Sequence, residues 1–247
     1  MRITLITLFF VSLALAGTGG PDGGGYYWYD QDENTDFFND NWVDISGTGT
    51  LISSGWWDDD FGQAGSISWD FNFYGSSYSD IYVSENGAVV FEDTNPRYFG
   101  AYGDDHFPGD HFVNTIIAPF WTDFAIHNNG EIFFQDFGDR FVIMWQDIDD
   151  WNGNLCTFEL ICWEAPDSST ASDVAFLYDF TPNGPIADYY VIGMQGDNTT
   201  GTELEYAIFK GGELVNPTEW YLLSPDEDYF GGSNVVPTSW GRIKALD

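Results

Sequence analysis

The sequence predicts an all-β protein, an antiparallel β-sandwich of the jelly-roll type with about 10–13 short strands and few or no helices. Turn residues recur about every 8–12 residues along the chain, which is the spacing typical of an all-β sandwich. Apolar and polar side chains alternate in several runs, most clearly where Ile67, Trp69, Phe71 and Phe73 share one face. No segment before the C-terminal tail has apolar residues at the spacing that predicts an amphipathic helix.

The predicted strands follow one another with short turns between them. Residues 141–145 are apolar on both faces, so we expect this strand at the centre of a sheet. Asn-Gly pairs tolerate the backbone angles of tight hairpins, and several of them separate predicted strands. The other strand-like runs are residues 157–161, 174–180, 190–194, 204–208 and 220–222. The Asn-Gly turns are at residues 86–87, 129–130, 152–153 and 183–184.

Both ends of the chain differ from this pattern. Arg2, an apolar core and small residues up to Ala16 predict a signal peptide at residues 1–16. Its core is shorter than the ~20 residues of a membrane-spanning helix, so we expect no transmembrane segment and a secreted, extracellular or cell-surface location. The predicted organisation continues with a flexible Gly-rich leader at 17–25, one β-sandwich domain at 26–230 and a C-terminal tail at 231–247. The tail is either a short basic element that docks on the domain or a terminal signal that a secretion or surface-attachment system recognises.

The charge of the chain limits its partners. There are 40 acidic residues and only 6 basic ones, which gives a formal net charge of -34. This charge repels nucleic acid and anionic membranes and attracts divalent cations. Self-repulsion at this density destabilises a compact state unless salt or bound cations screen it. The sequence therefore indicates either a saline habitat or calcium binding.

Two clusters of acidic residues are candidate calcium ligands. Calcium binds six to eight oxygens, which loops rich in Asp supply. Neither cluster matches an EF-hand loop, and a solvated surface is the alternative interpretation of each. No other cofactor is predicted. The candidate ligands are Asp58, Asp59 and Asp60 in one loop and Asp147, Asp149 and Asp150 at the end of a strand.

The residues that most enzymes need are scarce, and we predict that the protein is not an enzyme. The chain has 3 His and 2 Cys, and it contains no nucleophile elbow, zinc-protease motif or phosphate-binding loop. His106 and His111 lie in an Asp-rich segment, but their spacing fits no zinc signature. Cys156 and Cys162 lie on one face of a single predicted strand, too far apart for a disulfide. We expect buried free thiols, unless Cys156 lies in a turn.

Aromatic side chains provide a second type of candidate site. The consecutive pairs Tyr27-Trp28 and Trp56-Trp57 cannot all point into the core, so some of these rings should reach the surface. Exposed aromatic faces bind sugars or protein partners. Packing at the edges of a wide sandwich is the alternative.

The order of several short motifs resembles the nidogen-like (NIDO) extracellular β domain, in the form found in secreted bacterial proteins. The resemblance covers about residues 26–224. It implies an extracellular module with no active site of its own. In this pattern an acidic residue follows the Ala-Pro-Phe-Trp segment, and a carboxylate there can fix a loop. The motif residues are Phe73, Tyr74, Gly75, Asn86, Gly87, Ala118, Pro119, Phe120, Trp121 and Asp123.

Three functional hypotheses follow from these observations. The first is a non-enzymatic surface or matrix module for adhesion or structural assembly, dependent on calcium or salt. The second is a carbohydrate-binding module that uses exposed Trp and Tyr. The third, with the least support, is an enzyme that degrades extracellular polymers. The expected partners are an extracellular protein, a glycan or further copies of the chain, and not nucleic acid.

Overall fold

The structure is a computed structural model, and it describes residues 18–93, 106–111, 113–126, 130–150, 153–179, 189–208, 219–230, 235–237 and 243–245. These residues contain seventeen strands and one short helix, so the predicted all-β class is confirmed. Six of the strands are only two or three residues long, too short to produce a pattern in the sequence. The predicted signal peptide and Gly17 lie outside the described residues.

The elements are these in chain order: β1 (Thr18–Gly19), β2 (Tyr27–Asp30), α1 (Phe37–Asn41), β3 (Thr50–Leu51), β4 (Phe61–Phe73), β5 (Ser76–Ser84), β6 (Ala88–Val90), β7 (Ile116–Trp121), β8 (Phe124–Ala125), β9 (Glu131–Asp136), β10 (Arg140–Asp150), β11 (Leu155–Trp163), β12 (Val174–Tyr178), β13 (Tyr189–Asp197), β14 (Thr200–Ile208), β15 (Trp220–Ser224), β16 (Val235–Pro237) and β17 (Ile243–Ala245).

The strands form two main antiparallel sheets. The larger sheet has nine strands in the order β1-β2-β15-β12-β11-β10-β9-β3, with β8 paired to β10. The smaller sheet has six strands in the order β14-β13-β7-β6-β5-β4. β16 and β17 pair separately within the predicted C-terminal tail. The boundaries predicted at residues 26 and 230 stay predictions.

The main core lies between the two sheets and is rich in aromatic rings. Phe71 of β4 and Phe120 of β7 meet Phe141 and Trp145 of β10 and Phe158 of β11 in one buried cluster. The rings of Trp145 and Phe158 are stacked, with centroids 4.9 Å apart. Burying rings of this size provides most of the hydrophobic stabilisation of a sandwich.

A second apolar layer covers the outer face of the larger sheet. Phe37 of α1 packs against Trp220 of β15, with the ring centroids 4.5 Å apart and the rings tilted by 37°. Val142 and Met144 of β10 point into this layer, whereas Phe141 and Trp145 of the same strand point into the main core. This arrangement confirms the prediction that residues 141–145 form a central strand that is buried on both faces.

The leader differs from the flexible spacer that we expected. β1 pairs with β2, and the Asp22 carboxylate accepts hydrogen bonds from the backbone amides of Gly24 (2.8 Å) and Tyr26 (3.0 Å). The same carboxylate accepts hydrogen bonds from the hydroxyls of Tyr74 and Thr202. Residues 18–25 are therefore attached to the domain, because one carboxylate connects them to the β4–β5 turn and to β14.

Candidate functional site

Two of the family-like motifs meet at one corner of the sandwich. The Asn86-Gly87 turn joins β5 to β6, and it lies against the segment that follows β7. The Asn86 carbonyl accepts a hydrogen bond from the Thr122 amide (3.2 Å), and its side-chain oxygen accepts one from the Phe124 amide (2.8 Å). Gly87 has a φ of 76°, and a Cβ there would lie 1.9 Å from the Phe120 carbonyl oxygen. Only glycine allows this close approach.

A loop rich in Asp packs on the same corner. The side-chain amide of Asn86 donates a hydrogen bond to Asp59 (3.2 Å), and the Glu85 amide donates one to the Asp60 carbonyl (3.1 Å). The Asp60 carboxylate accepts a hydrogen bond from the Trp57 amide at 2.6 Å. Asp58 forms an isolated bridge with Ala125 of β8. Three separate parts of the chain, residues 57–60, 84–87 and 122–125, therefore converge here.

Three carboxylates come together at this corner, which we call the acidic corner. Asp58, Asp59 and Asp123 each place one oxygen so that the three lie within 4.8 Å of one another. Asp58 is exposed, and the other two are half-buried. Neighbouring carboxylates disfavour one another's ionised form unless protons or a cation compensate for the repulsion. Because the three side chains offer only oxygen, the group suits a hard cation such as calcium.

A fourth carboxylate lies behind the loop. Glu85 is 0% exposed, and neither of its carboxylate oxygens makes a hydrogen bond of good geometry. Burial raises the pKa of Glu85 to about 8; the backbone amides of Asp60 and Asp59 oppose this rise, and the carboxylates of Asp60 and Asp58 add to it. Sequence reasoning missed Glu85, since its burial depends on the loop that covers it.

The structure divides the predicted calcium ligands. Asp58 and Asp59 join Asp123, for which the sequence suggested only a loop-fixing role, whereas Asp60 holds the Trp57 amide. The group found among the described residues does not include Asp147, Asp149 or Asp150.

The second predicted cluster has structural contacts instead. Asp149 and Asp150 are buried at the end of β10, where the Asp150 carboxylate accepts hydrogen bonds from the backbone amide and the side-chain amide of Asn154, both at 2.8 Å. Asp147 has a φ of 49° and lies at an irregularity in the β10–β11 pairing. Of the six candidates, the geometry brings only Asp58 and Asp59 into one group with Asp123, and the calcium role of all six stays a prediction.

The four predicted aromatic residues differ in how far they are exposed. Trp57, beside the acidic corner, is 63% exposed. Trp56 is half-buried, and a Cβ added at Gly62 would lie 2.9 Å from its ring. Tyr27 and Trp28 are half-buried in β2, with Trp28 against the main core and Tyr27 against the outer layer. Of the four, only Trp57 presents most of its ring to a partner.

The remaining motif residues form the turn at the other end of β5 and the strand that precedes the corner. Tyr74 and Gly75 both have positive φ angles and form the turn between β4 and β5, while Phe73 is buried in the core. The segment Ala118-Pro119-Phe120-Trp121 belongs to β7 and is fully buried. These residues have structural roles.

The His and Cys residues that the structure describes have structural contacts. The His106 ring contacts the Glu203 carboxylate at 2.8 Å, and His111 packs edge-on against Trp121. Cys156 and Cys162 are buried and free, as expected. Burial raises the pKa of both thiols, which keeps them protonated and unreactive.

The described residues contain no helix that is long and apolar enough to cross a membrane. Together, the two sheets and the acidic corner define a β-sandwich module with a surface cluster of carboxylates beside an exposed indole.

The chain belongs to the nidogen-related family, because the family model described as NIDO related matches residues 29–208. Domains of this family are typically extracellular. The match runs from β2 to β14 and includes every residue of the acidic corner. No curated protein and no solved structure matches the chain.

Proposed function

We propose that the protein is an extracellular, non-enzymatic module for adhesion or structural assembly, and that cations are needed to screen its acidic surface. The observation that carries this proposal is the acidic corner. There, the Asn86-Gly87 turn of the family motif brings two segments together, so that three carboxylates lie beside the exposed Trp57. Such a surface suits contact with a partner. The exposed indole supplies apolar area, and a bound cation removes the repulsion among the carboxylates.

The cavities support a non-enzymatic role. The larger described cleft, of about 430 Å³, is lined by Gly, Ser, Thr, Asn, Ala and Pro residues, and its described lining contains no carboxylate, imidazole or thiol. A smaller cleft, of about 250 Å³, contains Asp173 and Asp226. The Ser224 hydroxyl donates a hydrogen bond to Asp173 at 2.6 Å, so one of these two carboxyl groups is already engaged by the protein.

The test is whether cations control association. The purified protein is first treated with a chelator at low salt, and its mass is then followed by light scattering while calcium chloride or sodium chloride is added. Retention on surfaces coated with extracellular matrix protein is measured in parallel. We expect both cations to raise the melting temperature and to promote assembly or retention. A monomer that binds no surface and melts at one temperature under all conditions would contradict the proposal.

The exposure of Trp57 favours one second candidate, a carbohydrate-binding module. A glycan array would test it, with Trp57→Ala as the variant. Phe137→Ala is the matched control, since Phe137 is an exposed aromatic (38%) that lies in the turn at the opposite end of β10. Binding that is lost only in the Trp57 variant supports this candidate, and an array without signal rejects it.

A further inference from the structure

The acidic corner has the composition and the openness of a calcium site. Its three carboxylates come from the loop before β4 and from the segment after β7, so a shared ion would join parts of the chain that are distant in sequence. No imidazole or thiol belongs to the described group, which removes the ligands that zinc and copper prefer. Because Asp58 is exposed, water can complete the six to eight ligands that calcium takes.

We propose that Asp58, Asp59 and Asp123 bind one calcium ion, and that this ion fixes the loop that presents Trp57. The inference deepens the proposed function, on which it rests, by naming the ion that regulates the same corner. Calcium would remove the repulsion among the three carboxylates and would connect residues 58–59 to residue 123.

Glu85 is the independent observation that points to a ligand. Its side chain is 0% exposed, neither of its oxygens makes a hydrogen bond of good geometry, and the backbone amides of Asp59 and Asp60 act on it, so it lies against the inner side of the Asp58–Asp60 loop. A buried carboxyl group without a partner is costly, and natural proteins keep such groups where they have a use. Behind three carboxylates that converge from the solvent side, a bound cation gives this fourth acidic group a compensating charge.

The contacts of the loop explain how the ion would act on Trp57. The Trp57 amide donates to Asp60, and the Trp57 carbonyl accepts a hydrogen bond from the Ile126 amide at 3.0 Å. Asp58, the next residue, bridges to Ala125. An ion held between Asp58, Asp59 and Asp123 would tie this backbone to the end of β7, so the indole would have one orientation when calcium is bound.

The test is calorimetric titration of calcium chloride into the chelator-treated protein. We expect one saturable site with a Kd on the order of 10⁻⁴–10⁻³ M or tighter, as in extracellular calcium modules. Asp58→Asn and Asp123→Asn should each weaken binding by about tenfold or more. The triple variant Asp32→Asn, Glu33→Gln and Asp40→Asn is the control, because it removes three exposed charges elsewhere and should bind like the wild type.

The possible outcomes separate the ion site from the function. Binding that is absent, or that is equal in Asp58→Asn, Asp123→Asn and the wild type, would overturn the site. Magnesium that binds as tightly as calcium would overturn the choice of ion. Since Asp58 is exposed, its variant should fold even if Asp123→Asn does not. Calcium binding without assembly or adhesion would contradict only the proposed function, and cation-dependent adhesion that persists in Asp58→Asn would contradict only the inference.

Discussion

Two buried carboxylic acids, Glu85 and Glu159, have the same burial but very different surroundings. Both are 0% exposed, and burial raises the pKa of each to about 8. Glu159 of β11 lies under the outer apolar layer, where one oxygen accepts a hydrogen bond from the Val43 amide at 3.2 Å. Glu85 lies behind the acidic corner, against the loop that carries Asp58, Asp59 and Asp60.

The difference shows that burial alone does not make a site. The outer layer around Glu159 consists of apolar side chains such as Phe37 and Trp220, so a proton is what neutralises this group. Beside Glu85, the oxygens of Asp58, Asp59 and Asp123 can hold an ion. We therefore expect both regions to respond to pH and only the region of Glu85 to respond to calcium.

The largest loss of stability should come from adding a side chain at Gly87. Gly87→Ala would place a Cβ 1.9 Å from the Phe120 carbonyl oxygen at a φ of 76°, so we expect a loss of about 3 kcal/mol or more in the free energy of unfolding. Gly55→Ala is the matched control. It also has a positive φ, of 85°, but meets no atom within 4 Å and should cost about 1 kcal/mol. Similar losses in urea denaturation for both variants would refute this account of the corner.

The next effect is the stabilisation by calcium. At a calcium concentration of about 100 times Kd, one site adds about 2.7 kcal/mol, which corresponds to roughly 5–10 °C in melting temperature for a chain of this size. Asp58→Asn, with binding weakened about tenfold or more, should lose about half of this shift or more in calorimetric melting. Glu159→Gln should keep it, because Glu159 is remote from the corner. If both variants lost the shift equally, calcium would be acting as a general screen of charge.

The pH dependence of the variant Glu159→Gln should isolate the contribution of Glu159, because Glu85 is present in both the variant and the wild type. The Glu159 pKa of about 8 in the folded state is above the usual value of 4.5, so its stabilising effect is complete below about pH 4.5 and is lost as the pH rises through 8. Glu159→Gln cannot ionise and should be more stable than the wild type at pH 9 by on the order of 2 kcal/mol.

The measurement is urea denaturation of both proteins from pH 5 to pH 9. At pH 5 the two free energies of unfolding should differ much less than at pH 9. Parallel curves with a constant difference across this range would show that the pKa of Glu159 is the same in the folded and unfolded states and is not raised by burial.

The smallest effect on stability should come from the residue that we expect to matter most for binding. Trp57 is 63% exposed, so Trp57→Ala should change the free energy of unfolding by no more than about 0.5 kcal/mol. The same variant should lose cation-dependent retention on a coated surface. A large loss of stability in thermal melting would show instead that the indole supports the fold.

Local patterns in the sequence predicted the sheets well. Residues 141–145 are apolar on both faces, and such a strand has no stable position except between two apolar layers. The thiols of Cys156 and Cys162 were placed correctly for the same reason, since alternation decides which side chains share a face. Both conclusions depend only on neighbours along one strand.

The site could be predicted only in part. Asp58 and Asp59 attracted attention as a run of acidic residues, but their grouping with Asp123 requires the Asn86-Gly87 turn to bring two distant segments together. The leader was misjudged because glycine-rich composition suggests flexibility, whereas Asp22 finds partners on Tyr74 and Thr202. Contacts between distant residues leave no periodic signal in the sequence.

The position of β15 in the larger sheet has a consequence for how the chain tolerates damage. β2 is joined to the rest of the sheet through β15, and β1 pairs with β2. A proteolytic cut that released residues 219–230 would therefore also remove the partner strand of β2 near the other end of the chain. Conversely, a circular permutant that connects residue 230 to residue 18 should keep this part of the sheet, because β15 and β1 lie on the two sides of β2 and both pair with it.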